Sequence, residues 1–358
     1  MRPLLCFFLK YDYGIPERGD SLEKLYFWPA IKKHSPESEV FWLEEIGFLE
    51  NNKDGLQEKI IQIAGRNIHP LAFFILMQDE VRISTLKELR SIGFKVINWF
   101  SDDQWRFDNW SVHIARESDF VLTVNKFAIP KYKKQTKCTP ILTQWGNFEK
   151  TEIDFSKIGS ELDYKVSFVG SKSPAREWYV NYLKNNGIHV DCFGSGWANG
   201  RVSQIQMNEI FLKSCINLNL SNSTPNDIKY FTFLIKRILV YLVRLQMKCL
   251  KTYWKHAKEF ILRKQKSHEQ MKARNFEIPA NGGLQLSHYT LELEDYFHIG
   301  KEILIYSSVD DLEKQIQFIF ENSDHSQEVR LSGYKCTLSH SFDSRISKIL
   351  SEVSECLA

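Results

Sequence analysis

The run EQMKARNFEIPANGG, from Glu269 to Gly283, sets two carboxylates eight positions apart, with Lys272 and Arg274 between Glu269 and Glu277. A carboxylate accepts hydrogen bonds from both hydroxyls of a vicinal diol, as an acid does for a ribose in nucleotide-binding folds. Two cations beside it could offset the charge of a leaving diphosphate without a metal ion, because developing phosphate charge is stabilised by fixed positive groups. The same residues also suit a solvated helix surface that stops at Pro279 and the glycine pair Gly282 and Gly283.

Three other stretches carry residue types with chemical uses. VSFVGSKSPAREW reads as a buried strand, a small-residue turn and a helix beginning near Pro174, where proline is tolerated. Such a turn would offer the backbone N–H groups around Gly170 and Ser171 to a phosphate, with Lys172 and Arg176 adding charge. It matches neither G-x-G-x-x-G nor the P-loop, and a glycine turn of this kind also serves structure alone. In CFGSGWANG, Gly194, Gly196 and Gly200 permit close backbone approach, and Trp197 offers a flat face to a base or sugar ring or else packs as a core tryptophan. INWFSDDQWRFDNW places Asp102 and Asp103 just past a buried strand, where they bind sugar hydroxyls, serve as a base, or cap the next helix. TQWGN, residues 143–147, ends another strand at the same presumed cleft.

These residues need elements to hold them. Over residues 1–150 short apolar runs alternate with helical stretches: LLCFFL, EVFWLEE, LAFFILMQ, KVINWF, DFVLTV and TPILTQW, with helices near 21–33, 55–65 and 83–92 and a short one before the last strand. A polar link near 147–162 precedes a second series over 160–358, built on YKVSFVGS, HVDCFGSG, CINLNLS, GLQLSH and EILIYS and closed by two helices that can cross back to the first domain. Strand and helix taking turns at this spacing predict parallel sheets, hence an α/β chain of two Rossmann-like domains facing a cleft lined by the carboxyl ends of the strands. A length of 358 residues fits two cores better than one.

The seven cysteines contain no C-x-x-C pair or other metal-ligand spacing and read as reduced thiols of a cytoplasm-like compartment, with no metal expected. The apolar run near the N-terminus stops at Lys10, shorter than a signal peptide requires, and no run reaches the length of a membrane span. The net charge of +3 hides an asymmetry: residues 229–266 hold eleven Lys and Arg against the single acid Glu259, leaving 36 cations and 43 anions elsewhere. Without Gly or Pro, this segment predicts one long amphipathic helix, with Lys229, Lys236, Arg237, Arg244, Lys248, Lys251, Lys255 and Lys258 on one arc and Phe231, Ile235, Ile238, Leu242, Leu245, Cys249, Tyr253 and Phe260 opposite. It is either a packed helix with solvated cations or an interfacial helix on anionic lipid. Nucleic acid is disfavoured, since no base-stacking or zinc-finger motif accompanies it.

Taken together, INWFSDDQWRFDNW, TQWGN, FVGSKSPAREW, CFGSGW, INLNLS, KARNFEIPANGG, GKEILIYSSVDDL and SHSFDSRISKIL resemble the CgeB-like, spore-maturation-type glycosyltransferases, from about residue 65 to the C-terminus. The resemblance implies a GT-B fold related to retaining glycosyltransferase family 4, an acceptor-binding first domain and a donor-binding second one. It implies a nucleotide-sugar as co-substrate, no other cofactor, and a saccharide or lipid-linked acceptor. By that analogy Glu277 holds the donor ribose, Glu269 contacts the donor sugar, and Lys272 and Arg274 lie near the diphosphate. Gly170, Ser171, Arg176, Gly194, Gly196, Trp197 and Gly282 complete the donor side, and Asp102 and Asp103 lie on the acceptor side. The long basic insert departs from the family's short connection, as does Asn281 from its usual small residue. The expected location is the cytoplasm, or the inner face of a membrane if the basic helix is the interfacial one. A non-catalytic carbohydrate- or polymer-assembly protein and a nucleotide-sugar epimerase are the competing readings.

Overall fold

The computed structural model of the chain describes residues 2–48, 52–67, 70–77, 79–147, 153–154, 156, 158–160, 162–220, 223, 225–262 and 269–358. It divides into two compact units, Met1–Glu149 with His340–Ala358, and Lys150–Ser339. Most of the link expected near 147–162 lies outside the described residues.

The first unit is built on a parallel sheet of β1 (Leu5–Phe8), β2 (Glu39–Trp42), β3 (Leu71–Phe74), β4 (Lys95–Phe100), β5 (Phe120–Thr123) and β6 (Thr139–Leu142), in the order β2-β1-β3-β4-β5-β6. Strands β1 and β3 are buried along their whole length, as expected where both faces of a parallel strand are covered. Leu5 sits opposite Glu39 on one side and Ala72 on the other, so β1 and β3 flank the point at which the strand order reverses. Six helices connect the strands: α1 (Trp28–His34), α2 (Lys53–Gly65), α3 (Ile83–Ser91), α4 (Asp103–Arg106), α5 (Val112–Ala115) and α6 (Ile129–Gln135). A π-helical stretch, Phe107–Ser111, joins α4 to α5.

The second unit has five parallel strands, β7 (Tyr164–Val169), β8 (Asp191–Phe193), β9 (Ser214–Asn219), β10 (Gln285–His288) and β11 (Leu304–Tyr306), in the order β11-β10-β9-β7-β8. Here β7 and β9 flank the reversal. Its helices are α7 (Pro174–Asn185), α8 (Gln204–Leu212), α9 (Ile228–Val243), α10 (Met247–Ile261), α11 (Arg274–Ala280), α12 (Val309–Glu321) and α13 (Ser323–Thr337). Three helices close the chain rather than the expected two. The third, α14 (Phe342–Cys356), belongs to the first unit, where Phe342 stacks on Tyr26 with ring centres 5.0 Å apart.

Gly146 makes that return possible. The N–H of Asn147 donates to His340 O at 2.8 Å and that of Phe342 to Asn147 O at 3.0 Å, and a Cβ on Gly146 would lie 2.7 Å from Phe342 N. TQWGN and SHSFDS are therefore two sides of one backbone contact that fastens α14.

The single long helix expected over 229–266 is corrected to two, joined at Arg244–Gln246, and residues 263–266 lie outside the described ones. The amide of Gln246 donates to Tyr241 O and that of Leu245 to Leu242 O, the paired bonds of a Schellman ending, with Leu245 at φ 53° where glycine is usual. Because the left-handed residue is leucine, the sequence shows no break. The face set out as apolar is also divided: Ile238 and Tyr253 are buried, with Tyr230, Leu234, Tyr241 and Ala257, in one core with Trp178 and Tyr306, whereas Leu242 and Leu245 are exposed.

Two outcomes follow. Gly146→Ala lowers the stability of the chain by about 2 kcal/mol or more, since three backbone atoms of 340–342 must shift; thermal melting checks this. Glu23, buried near Glu80 and Glu44, has its carboxyl pushed up to about 8, by desolvation first. Stability from the protonated form is complete below the ordinary glutamate range and is lost as pH rises towards 8. Glu23→Gln therefore gains on the parent by about 1.4 kcal/mol per pH unit across that window, read from denaturant midpoints.

Candidate donor site

The site residues of the second unit gather where its strand order reverses, at the carboxyl ends of β7 and β9. Arg176, in the first turn of α7, donates from Nε to Leu220 O at 3.3 Å and from Nη1 to Ser171 O at 2.9 Å and Ser171 Oγ at 3.2 Å. Arg274, at the start of α11, donates from Nε to Val169 O at 3.4 Å and pairs through Nη1 with the carboxylate of Glu277. Burial first, and Arg274 beside it second, hold the Arg176 guanidinium down to about 10. Glu269 and Tyr306 also lie within electrostatic reach of Arg176, and the Glu269 carboxylate accepts the hydroxyl of Ser223, just beyond β9. The fold thus brings Glu269, Arg274, Glu277 and Arg176 into one neighbourhood, although they span a hundred positions.

Glu277 is buried within α11, and its carbonyl accepts Asn281 Nδ2 at 2.7 Å. Lys272 donates its N–H to Asn275 Oδ1 at 2.9 Å, closing the turn before α11. Asn275 Nδ2 and Asn219 Nδ2 both donate to Ser287 Oγ, at 3.3 and 3.1 Å, tying α11 to β9 and β10. Neither Ser223, Asn275 nor Ser287 was singled out by spacing. The first is a polar residue just past a strand, the one signal that marked it.

Other expectations change. The amide of Gly170 donates to Phe193 O and that of Lys172 to Ser195 O, both at 2.8 Å, and Ser173 Oγ accepts the Arg176 amide. The amides of Gly170 and Lys172 therefore hold the two turns together rather than point at an anion, and Arg176 supplies positive charge beside them. Gly194, at φ 126°, would place a Cβ 2.3 Å from Gly170 O, and a Cβ on Gly196 would lie 2.9 Å from Lys172 Cβ. Trp197 donates from Nε1 to Gly170 O at 2.9 Å, and its ring lies against Lys172, whose Nζ is 5.3 Å from the ring centre. The tight-loop reading of CFGSGW therefore describes these contacts. Gly282, at φ 70°, ends α11 facing Leu212 and Ile158, and its carbonyl accepts Arg330 Nη1 at 3.1 Å. It is a packing position.

In the first unit Asp103 is drawn inside. Its carboxylate accepts Thr123 Oγ1 at 2.5 Å and Tyr132 OH at 2.9 Å, and desolvation raises its pKa. It stabilises the start of α4 and cannot meet a sugar without leaving these partners, whereas Asp102, half-buried, is the residue before α4. A cavity of about 310 Å³ lies at this unit's own strand reversal, lined by Tyr13 and Gly14 after β1, Phe48, Asn52 and Lys53 after β2, and Asp79 and Glu80 after β3. Among the described residues no group of three or more His, Cys, Asp or Glu is placed to hold a metal.

Residues 247–351 match the model of a family described as glycosyl transferase-like. No curated protein matches the chain. Among solved structures, HepE from Anabaena in complex with UDP is similar at a TM-score of 0.57 and 10% identity, over 99% of this chain and 100% of that one. A glycosyltransferase from Rickettsia africae is similar at 0.57 and 11%, over 99% and 98%. Sucrose-phosphate synthase from Thermosynechococcus elongatus is similar at 0.54 and 11%, over 100% and 99%. At such identities the likeness concerns the fold: the two α/β units are those of GT-B glycosyltransferases.

The clamp between the turns has a direct test. Gly194→Ala adds a methyl group against Gly170 O in a left-handed conformation, and is expected to lower stability by about 2 kcal/mol or more in thermal melts.

Proposed function

We propose that the chain is a CgeB-like glycosyltransferase that moves a sugar from a nucleotide-sugar, with retention and without a metal, to a saccharide or lipid-linked acceptor. One observation carries this reading: two guanidiniums, Arg176 and Arg274, stand together at the strand reversal of a GT-B second unit beside two carboxylates, Glu269 and Glu277. Like charges brought together and partly desolvated favour an anion between them, and a diphosphate is the anion a nucleotide-sugar brings. The HepE structures hold UDP-glucose and UDP, a nucleotide-sugar and a nucleoside diphosphate, on a protein of this fold.

In the reaction the bond from the anomeric carbon to the diphosphate oxygen breaks and its electron pair leaves with the nucleoside diphosphate, while an acceptor hydroxyl oxygen bonds to that carbon on the same face and passes its proton to the departing diphosphate oxygen. Arg176 and Arg274 carry the charge that develops on the leaving group, with Lys272 nearby. Glu277 accepts the ribose hydroxyls, exchanging part of its contact with Arg274 for them, and Glu269 lies on the sugar side. The acceptor belongs to the first unit, where the cavity lined by Tyr13, Asn52, Asp79 and Glu80 offers hydrogen-bonding groups and an aromatic edge to a saccharide.

Incubation with a panel of nucleotide-sugars is expected to give donor hydrolysis or transfer that EDTA leaves unchanged. Glu277→Ala lowers kcat/KM by about a hundredfold or more, and Arg274→Gln does the same through the leaving group. A nucleotide that raises Tm with no turnover of any donor would assign the chain to the non-catalytic class, and an altered sugar without acceptor would assign it to the epimerases.

A further inference from the structure

We propose that the α9–α10 hairpin is a membrane foot whose tip inserts among the headgroups of an anionic bilayer. The proposal does not depend on the donor chemistry. Seven consecutive residues, Leu242 to Lys248, are exposed, with Val243 83%, Leu245 80%, Met247 55% and Leu242 54% accessible. Water is a poor solvent for such a run, and a soluble fold ordinarily turns a helix with polar residues. The turn is also held by Leu245 at φ 53°, a conformation that glycine adopts freely and that disfavours leucine. An unfavourable backbone that keeps an apolar side chain in solvent points to a use for that side chain.

The flanking surfaces identify the partner. Along α10, Met247, Lys251, Trp254, Lys258 and Ile261 recur at the spacing of one helical face, and all five are exposed. Apolar residues interleaved with lysines suit the boundary between acyl chains and headgroups, where the stems bury and the ammonium groups reach out. Lys229 pairs with Asp310, Arg237 with Glu177 and Lys255 with Glu259. Lys236, Arg244, Lys248, Lys251 and Lys258 have no ion-pair partner among the described residues and remain for lipid phosphates. Among those residues no helix is long and apolar enough to cross a membrane, so the hairpin meets the surface rather than spans it.

The full chain is mixed with vesicles of equal parts phosphatidylcholine and phosphatidylglycerol, or of phosphatidylcholine alone, and floated on a density gradient. Flotation is expected with the anionic vesicles alone. Leu245→Gly, which relieves the backbone and so keeps or raises Tm, binds about tenfold more weakly or worse. Changing Arg244, Lys248, Lys251 and Lys258 together to Gln weakens binding by more than about a hundredfold. Absence of the parent chain from anionic vesicles overturns the proposal, as does full binding by Leu245→Gly, which would mean adsorption by charge without insertion. A parent chain that is dimeric by light scattering and becomes monomeric with Leu245→Gly would give the tip to a second copy instead, and equally overturns it.

Discussion

Two guanidiniums held close together at the end of β7 are unfavourable in themselves, and the architecture of the second unit is arranged around making them tolerable. Each is fixed by backbone carbonyls, Arg176 on Ser171 and Leu220, Arg274 on Val169, and each has a carboxylate within reach. A carbonyl fixes a guanidinium's direction without cancelling its charge, so the geometry of the pair is set while Glu269 and Glu277 offset the charge. Under the proposed function, preorganised charge of this kind does not have to be assembled when a diphosphate arrives. The strand reversal supplies the location: beside β7 and β9 the start of α7, the strand ends at Val169 and Leu220 and the start of α11 are joined through Arg176 and Arg274.

A third guanidinium shows the opposite use of the same group. Arg330 of α13 is buried and donates to the carbonyls of Leu212, Gly282, Ser214 and Cys215, which satisfies the ends of α8, α11 and the start of β9. Burial brings its pKa down to about 10, yet all its contacts are neutral oxygens inside the fold. Composition cannot separate Arg330 from Arg176 and Arg274. What differs is position relative to the strand ends, and that emerges only when the sheet is assembled.

This explains what the sequence disclosed. The eleven strands among the described residues were each legible as a short apolar-rich run between helical stretches, most clearly β1 and β3, whose buried LCFF and LAFF admit little else. Glu269, Arg274 and Glu277 could be found because they share one stretch of chain, and Arg176 because its own turn offered a cation to a phosphate; that Arg176 stands directly beside Arg274 could not, since proximity across strands leaves no spacing signal. Glycines were legible as constraints but not as kinds of constraint: Gly194 is required by Gly170 O and Gly146 by the chain at 340–342, both contacts far away in sequence. Asp103 was ambiguous for a similar reason, because its partners Thr123 and Tyr132 lie on other elements. The break between α9 and α10 was hidden by chemistry itself, as a leucine occupies the position that usually betrays a helix end.

The hairpin and the turn after β7 share one buried carboxylate. Glu177 of α7 accepts from Arg237 and Tyr253 on the hairpin and pairs with Lys172 of the turn at 3.2 Å. Removing any of these partners leaves a buried charge undersupplied, which is more disruptive than losing the pair as a whole. The base of the hairpin is thus part of the fold of the second unit: its Tyr230 lies edge-on to Trp178 of α7, with ring centres 5.5 Å apart. Among the described residues the tip, Leu242–Lys248, makes no such contacts. Deleting α9 and α10 would therefore confound loss of a surface with loss of the turn that carries Lys172 and, four residues on, Arg176. Substitutions confined to Leu242–Lys248 leave Glu177 and its three partners in place, and so alter the surface alone.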